Sequence, residues 1–132
     1  MTSISTARAT AVTVALVGAS ATGAESLAAA LVDLPTSDRA DWRLRAADGV
    51  PTGAVVDIAV CDGTAAVRAA AVRWPDAEIL ALVSARGDEG SVLGALDAGA
   101  HVCVRGSDPA VVAAYVHSIT RRRGLLVPDV AR

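Results

Sequence analysis

Apolar runs alternate with helix-like segments along this chain. Val12–Val17 and Val55–Cys61 are continuous apolar runs, as expected for strands that are covered on both faces. Glu78–Val83 and His101–Val104 are two further strand-like runs, whereas Trp42–Ala46 alternates apolar and basic residues as an edge strand does. Five such runs, mostly separated by helix-like segments, predict a doubly wound α/β domain with a parallel five-stranded sheet.

The segments between these runs have apolar residues at helical spacing. Four helices are predicted, at about residues 23–33, 64–73, 88–98 and 109–122. The last has a strong start signal, because Asp108 can cap it and Pro109 suits its first turn. Only residues 47–54 separate the second and third strands, which is too short for an ordinary crossover helix. We therefore expect the second helix to be degenerate or missing.

Composition narrows the class of protein. The chain has 132 residues, of which 53% are hydrophobic and 20% charged, as in a single globular domain. The net charge of −2 gives no reason to expect direct nucleic-acid binding, and no apolar run is long enough to span a membrane. With no signal peptide and with both cysteines in apolar runs, we expect a cytoplasmic protein without disulfides. We divide the chain into a flexible tail (1–11), a folded domain (12–123) and a linker-like tail (124–132).

Candidate functional residues follow or end the predicted strands. Gly18, Asp62, Ser84 and Arg105 all stand at such positions. Because parallel strands with right-handed crossovers place their carboxyl ends at one edge of the sheet, we expect these four residues to converge there. Asp62 is the most informative of them, since the first strand runs into Gly18 and Ala19 and supplies no second acid. The sequence thus predicts a site with a lone carboxylate.

An acid after the third strand, a hydroxyl after the fourth and a cation after the fifth resemble the receiver domain of response regulators. The resemblance is strongest to receivers that precede LuxR-type DNA-binding domains, on the pattern from Ala95 to Ala100 and from Arg105 to Pro109. It implies a flavodoxin-like sheet of order 2-1-3-4-5. It also implies a phospho-acceptor role for Asp62, and switch or phosphate-contact roles for Ser84 and Arg105.

The chain also departs from that family. Gly18 and Ala19 replace the acidic pair that holds Mg²⁺, Arg105 replaces a lysine, and Val102 replaces the aromatic switch residue. It therefore resembles an atypical, or pseudo-, receiver, for which we expect no cofactor, Mg²⁺ included. Arg105 could contact a phosphate or pair directly with Asp62, which could otherwise be simply solvated. Ser84 could equally be a residue that only initiates a turn.

The expected function is that of an atypical response-regulator receiver, a signalling and dimerisation module in transcription regulation without Mg²⁺-dependent phosphorylation. No catalytic constellation is present in the sequence, so we do not expect an enzyme. Two alternatives stay open. One is a two-component receiver that a sensor kinase phosphorylates at Asp62. The other is a nucleotide- or small-ligand-binding domain, because 18–26 has glycines spaced as in a P-loop, although Ala24 replaces the required lysine.

The predicted partners are a second copy of the chain and a DNA-binding domain. We expect a homodimer, through the last two helices and the fifth strand or through the first and last helices. The last helix carries a wide apolar band, but Val112, Val116 and Ile119 could all face the sheet and leave a complete monomer. The tail from Gly124 resembles the linker into a LuxR-type domain, so the chain is interpreted as truncated or as a stand-alone receiver.

Overall fold

The computed structural model describes residues 11–18, 21–36 and 38–128. Its main sheet has five strands: β1 (Ala11–Val17), β2 (Asp41–Ala46), β3 (Ile58–Asp62), β4 (Glu78–Val83) and β5 (Val102–Arg105). Every neighbouring pair is parallel and the order is β2-β1-β3-β4-β5. The predicted parallel sheet and its 2-1-3-4-5 order are confirmed.

Four helices cover the two faces of this sheet. They are α1 (Ala21–Val32), α2 (Thr64–Arg73), α3 (Glu89–Ala98) and α4 (Pro109–Arg122). α1 and α4 pack against each other on one face, and α2 and α3 on the other. Each face therefore has its own apolar core, and β3 is buried between them because Ile58 and Val60 face one core while Ala59 and Cys61 face the other.

The connection between β2 and β3 contains no α-helix. A single 3₁₀ turn at Ala47–Gly49 stands where a crossover helix would lie. Val50 and Val56 from the following loop are buried in the core beneath α2 and α3. The expectation of a degenerate second helix is confirmed, and this loop covers part of the sheet face in its place.

The predicted Asp108 cap of α4 is present, and Asp88, predicted as the first residue of α3, is its cap instead. The Asp108 carboxylate accepts a hydrogen bond from the Ala110 amide at 3.0 Å, and the Asp88 carboxylate accepts one from the Ser91 amide at 3.0 Å. Strand starts differ more from the prediction. β3 begins at Ile58 rather than Val55, because the Asp57 side chain accepts the hydrogen bond from the Thr13 amide, at 2.9 Å, that a strand carbonyl would take.

The chain folds back after α4. The Leu125 amide donates to the Thr120 carbonyl at 3.0 Å, and the Leu125 side chain packs against the core under α1 and α4. Val127–Pro128 then pairs antiparallel with Asp38–Arg39, just before β2. The first part of the predicted linker-like tail is thus packed against the domain. Residues 1–10, 19–20 (Ala19 included), 37 and 129–132 lie outside the described part.

Both cysteines are free and lie in the main sheet. Cys61 on β3 and Cys103 on β5 are both in register with Ala81 of the intervening strand. Two strand spacings put their Cα atoms roughly 10 Å apart, which exceeds the span of a disulfide. Burial raises the pKa of the Cys61 thiol to about 12, so this thiol stays protonated at neutral pH.

Candidate functional site

The four predicted site residues all lie at the carboxyl edge of the sheet, but they form two groups. Gly18 follows β1 and lies against Asp62 at the end of β3, where a Cβ on Gly18 would be 3.4 Å from the Asp62 Cβ. Ser84 follows β4 and Arg105 ends β5, with Val83 in register with Arg105. The predicted convergence therefore holds at the level of the backbone.

Asp62 presents an unpartnered carboxylate. Its side chain is exposed, and it makes no hydrogen bond or ion pair with any residue in the described part of the chain. Asp62 is therefore solvated and does not form an ion pair with Arg105.

The Arg105 side chain contacts the loop before α3 and not Asp62. Its guanidinium donates a hydrogen bond to the Gly87 carbonyl at 2.9 Å, in the loop that precedes α3. One strand lies between Arg105 and Asp62, so their backbones are roughly 10 Å apart. Arg105 thus stabilises the loop before α3 and does not contact the Asp62 carboxylate.

Ser84 begins a tight turn. Its hydroxyl oxygen accepts a hydrogen bond from the Arg86 amide at 3.2 Å, and its carbonyl accepts one from the Gly87 amide at 2.8 Å. The structure thus gives Ser84 the turn-initiating contacts that the sequence had suggested as the alternative to a phosphate contact.

The residues present do not fit a magnesium ion. Mg²⁺ requires near-octahedral oxygen ligands, and Asp62 supplies one carboxylate. No group of three His, Cys, Asp or Glu residues that could hold a metal occurs in the described ranges. Gly18 has a φ of +80°, so any side chain introduced there would be strained. The backbone conformation at this position therefore disfavours an acidic side chain beside Asp62.

A cleft beside Asp62 is the feature that the sequence did not reveal. It has a volume of about 330 Å³ and opens between α1, α4 and the ends of β1 and β3. Apolar side chains form its floor: Leu16, Leu27, Val60, Leu82 and Val112. Small residues on two segments leave this space open: Gly23 and Ser26 are one helical turn apart on α1, and Ser107 lies in the loop before α4. Only the fold brings these two segments together. We call it the β1–β3 cleft.

The domain is a flavodoxin-like α/β domain, as its strand order 2-1-3-4-5 and the two helices on each face show. A lone acid, Asp62, stands at the end of β3. Solved structures with this fold include a response regulator from Thermotoga maritima, with a TM-score of 0.64 and 16% identity over 84% of this chain and 98% of that one. A LuxR family DNA-binding response regulator from Silicibacter pomeroyi gives 0.65 and 18% over 84% and 93%. A pilus assembly-related protein from Burkholderia pseudomallei gives 0.58 and 16% over 84% and 90%.

The chain therefore has the fold of a response-regulator receiver domain. No protein-family model and no curated protein matches it. At these identities the structural likeness establishes the fold alone, and proteins described as response regulators and as pilus assembly-related share it. No helix in 11–18, 21–36 or 38–128 is long and apolar enough to cross a membrane.

Proposed function

We propose that the domain is an atypical receiver, a signalling module that is not an enzyme and works without Mg²⁺-dependent phosphorylation of Asp62. The observation that carries the proposal is the isolation of the Asp62 carboxylate. Phosphoryl transfer to a carboxylate needs cations that neutralise the charge on the transferred oxygens. Here Gly18 stands beside Asp62 in place of a metal-binding acid, and Arg105 donates to Gly87.

Incubation with acetyl phosphate and Mg²⁺, followed by intact-mass measurement, tests this proposal. We expect no mass gain of one phosphoryl group, under conditions in which a receiver with a complete acidic site is modified. The Asp62→Asn variant is the matched control, because it removes only the acceptor oxygen from an exposed position. A gain that Asp62→Asn abolishes would show instead a phosphorylatable receiver of the kind that a sensor kinase serves.

We further propose that the domain acts as a homodimer through the face built by α3, β5 and α4. Large apolar side chains are exposed on both helices that flank the edge strand β5: Leu93 (60%), Leu96 (40%), Val111 (42%) and Tyr115 (42%). Val112, Val116 and Ile119 are buried against the sheet, as the monomer alternative expects, so the proposal rests on Val111 and Tyr115 of α4 and on the exposed leucines of α3. Apolar area of this kind is typical of an interaction surface.

Light scattering at micromolar concentrations measures the association. We expect a dimer mass for the unmodified chain and a monomer mass for Leu93→Glu and Tyr115→Glu, since a charge at the centre of a two-fold interface faces its own copy. Val72→Glu is the matched control, because Val72 is 81% exposed on α2, outside this face. A monomer mass for the unmodified chain at high concentration contradicts the dimer.

Transcription regulation is the output we propose, through a DNA-binding domain following the described tail. The resemblance of the sequence to LuxR-type receivers supports it, as does the similar fold of a LuxR family DNA-binding response regulator. Joining the domain to such a DNA-binding domain and measuring operator binding with and without the Tyr115→Glu substitution tests this output. Loss of binding on substitution is expected, because paired half-sites require a dimer.

A further inference from the structure

The β1–β3 cleft lies where the strand order of the sheet reverses. β1 and β3 are neighbours in the sheet, but their connections leave in opposite directions, to β2 and to β4. The loops therefore diverge above this point, and open α/β sheets bind ligands in the crevice that results. Leu16 from β1 and Val60 from β3 form part of the floor, so the cleft is at this crevice.

The side chains that line the cleft suit a small ligand with an apolar part. Its floor is made of Leu and Val side chains from three strands and two helices. At about 30 Å³ for each water, a volume of about 330 Å³ holds roughly ten non-hydrogen atoms. That places the cleft at the small end of ligand pockets.

The charge at the rim of the cleft favours a cationic ligand. Asp62 is the only charged side chain among its described lining residues, and its carboxylate has no partner in the described part of the chain. Ser26 and Ser107 also line the cleft, and each carries a hydroxyl group that can accept a hydrogen bond. A bound anion would face Asp62, and no cation among the described lining residues offsets that repulsion, because Arg105 donates to Gly87. The amino ends of α1 and α4, which also lie at this rim, carry only partial positive charges and offset part of it. An ammonium group would instead pair with the free carboxylate.

We propose that the β1–β3 cleft binds a small organic amine, with its apolar body on the floor and its ammonium group at Asp62 and the two serine hydroxyls. The regulatory meaning rests on the proposed function, since the amine would take the place of phosphorylation as the signal. Binding itself does not depend on that function. The carboxylate that holds a metal and a phosphoryl group in a complete receiver site then serves as the counter-ion of the ligand.

Titration of the ¹⁵N-labelled chain followed by NMR tests the proposal. The probes are phenethylamine and 3-methylbutylamine, with 2-phenylethanol and 3-phenylpropanoate as neutral and anionic counterparts, each titrated to about 10 mM. We expect saturable shifts of the Gly23, Ser26, Asp62 and Ser107 amides with the amines. We expect about tenfold weaker binding of the alcohol and no saturation with the carboxylate.

Three variants locate the site. Asp62→Asn should lower amine affinity about tenfold, to that of the alcohol, because only the charge is removed. Ser26→Leu should abolish binding by filling the cleft, whereas Ala29→Leu, on the exposed side of the same helix, should leave it unchanged. If Ser26→Leu fails to fold, as seen by circular dichroism, Asp62→Asn alone decides the question.

The outcomes that overturn the inference are distinct from those that overturn the proposed function. Absence of saturable shifts with both amines, equal affinity for phenethylamine and 2-phenylethanol, or unchanged amine affinity in Asp62→Asn each contradicts the amine site. None of these affects the conclusion on Mg²⁺-dependent phosphorylation. Conversely, a phosphoryl gain with acetyl phosphate contradicts the proposed function, and the titration still decides whether the cleft binds amines.

Discussion

Replacing Arg73 by alanine should destabilise the domain by releasing the loop that stands in for the second helix. The Arg73 guanidinium donates to the Ala47 carbonyl at 3.1 Å and to the Val50 carbonyl at 2.8 Å. It also lies over the Trp74 ring, 4.5 Å from its centroid. Arg73 therefore connects the end of α2 to the segment that covers the sheet between β2 and β3.

The magnitude follows from these three contacts. Two hydrogen bonds from a solvent-exposed guanidinium contribute about 0.5–1 kcal/mol each, below the range for buried charged donors. The contact with the ring adds about 0.5 kcal/mol. We expect Arg73→Ala to lose about 2 kcal/mol in the free energy of unfolding, or about 6 °C in melting temperature for a domain of this size. Arg73→Lys should lose about half of that, because an ammonium keeps the charge but cannot fork onto two carbonyls.

Urea denaturation followed by circular dichroism measures the loss. Arg68→Ala is the matched control, because Arg68 is exposed on the same helix and makes no hydrogen bond or ion pair with a described residue. It should cost less than about 0.5 kcal/mol. Equal losses for Arg73→Ala and Arg68→Ala would refute the view that the loop is fixed by Arg73.

Two further predictions concern polar groups in the cores. Burial, and secondarily the charge of Arg121, lower the pKa of His117 in the folded state, whereas Asp38 opposes this. The contribution of neutral His117 to the free energy of unfolding should therefore be fully present above the pKa of the unfolded state, about 6.5. It should decrease as the pH falls from there toward the lower pKa of the folded state, as measured in urea titrations at a series of pH values. His117→Gln should flatten that dependence, and an unchanged slope would contradict it. Asp57→Ala should cost about 1–3 kcal/mol, because the Thr13 amide loses its acceptor. Asp57→Asn keeps an acceptor oxygen and should cost much less, so equal losses would contradict the assigned contact.

Local sequence signals were sufficient to predict most of the fold. α2 and β4 have their predicted bounds, and α4 starts after Asp108 as its cap signal indicated. These features depend on residues that are close together in the chain, such as an N-cap with a proline after it or a run of apolar residues. The start of β3 was predicted too early, because the deciding contact, from the Thr13 amide to the Asp57 carboxylate, joins distant parts of the chain.

The candidate site was predictable in its backbone positions but not in its side-chain directions. Topology alone places Gly18, Asp62, Ser84 and Arg105 at one edge. The direction of Arg105 depends on the Gly87 carbonyl, which a turn beginning at Ser84 positions, and the sequence gives no rule for that contact. The β1–β3 cleft depends on side chains from five elements and a loop, so it becomes visible only in the folded molecule.

The folded-back tail has a mechanical consequence. Tension on the chain beyond Pro128 is carried first by the two-residue ladder with Asp38–Arg39 and by the contact between Arg121 and Asp38, at 3.5 Å. Both of these attachments end on the segment that enters β2, an edge strand with one neighbour in the main sheet. A force on the tail would therefore act first on the segment before β2 and on the end of α4, and only later on the central strands β3 and β4. The contacts of Val127–Pro128 would therefore separate before those of Leu125, which packs against the core under α1 and α4.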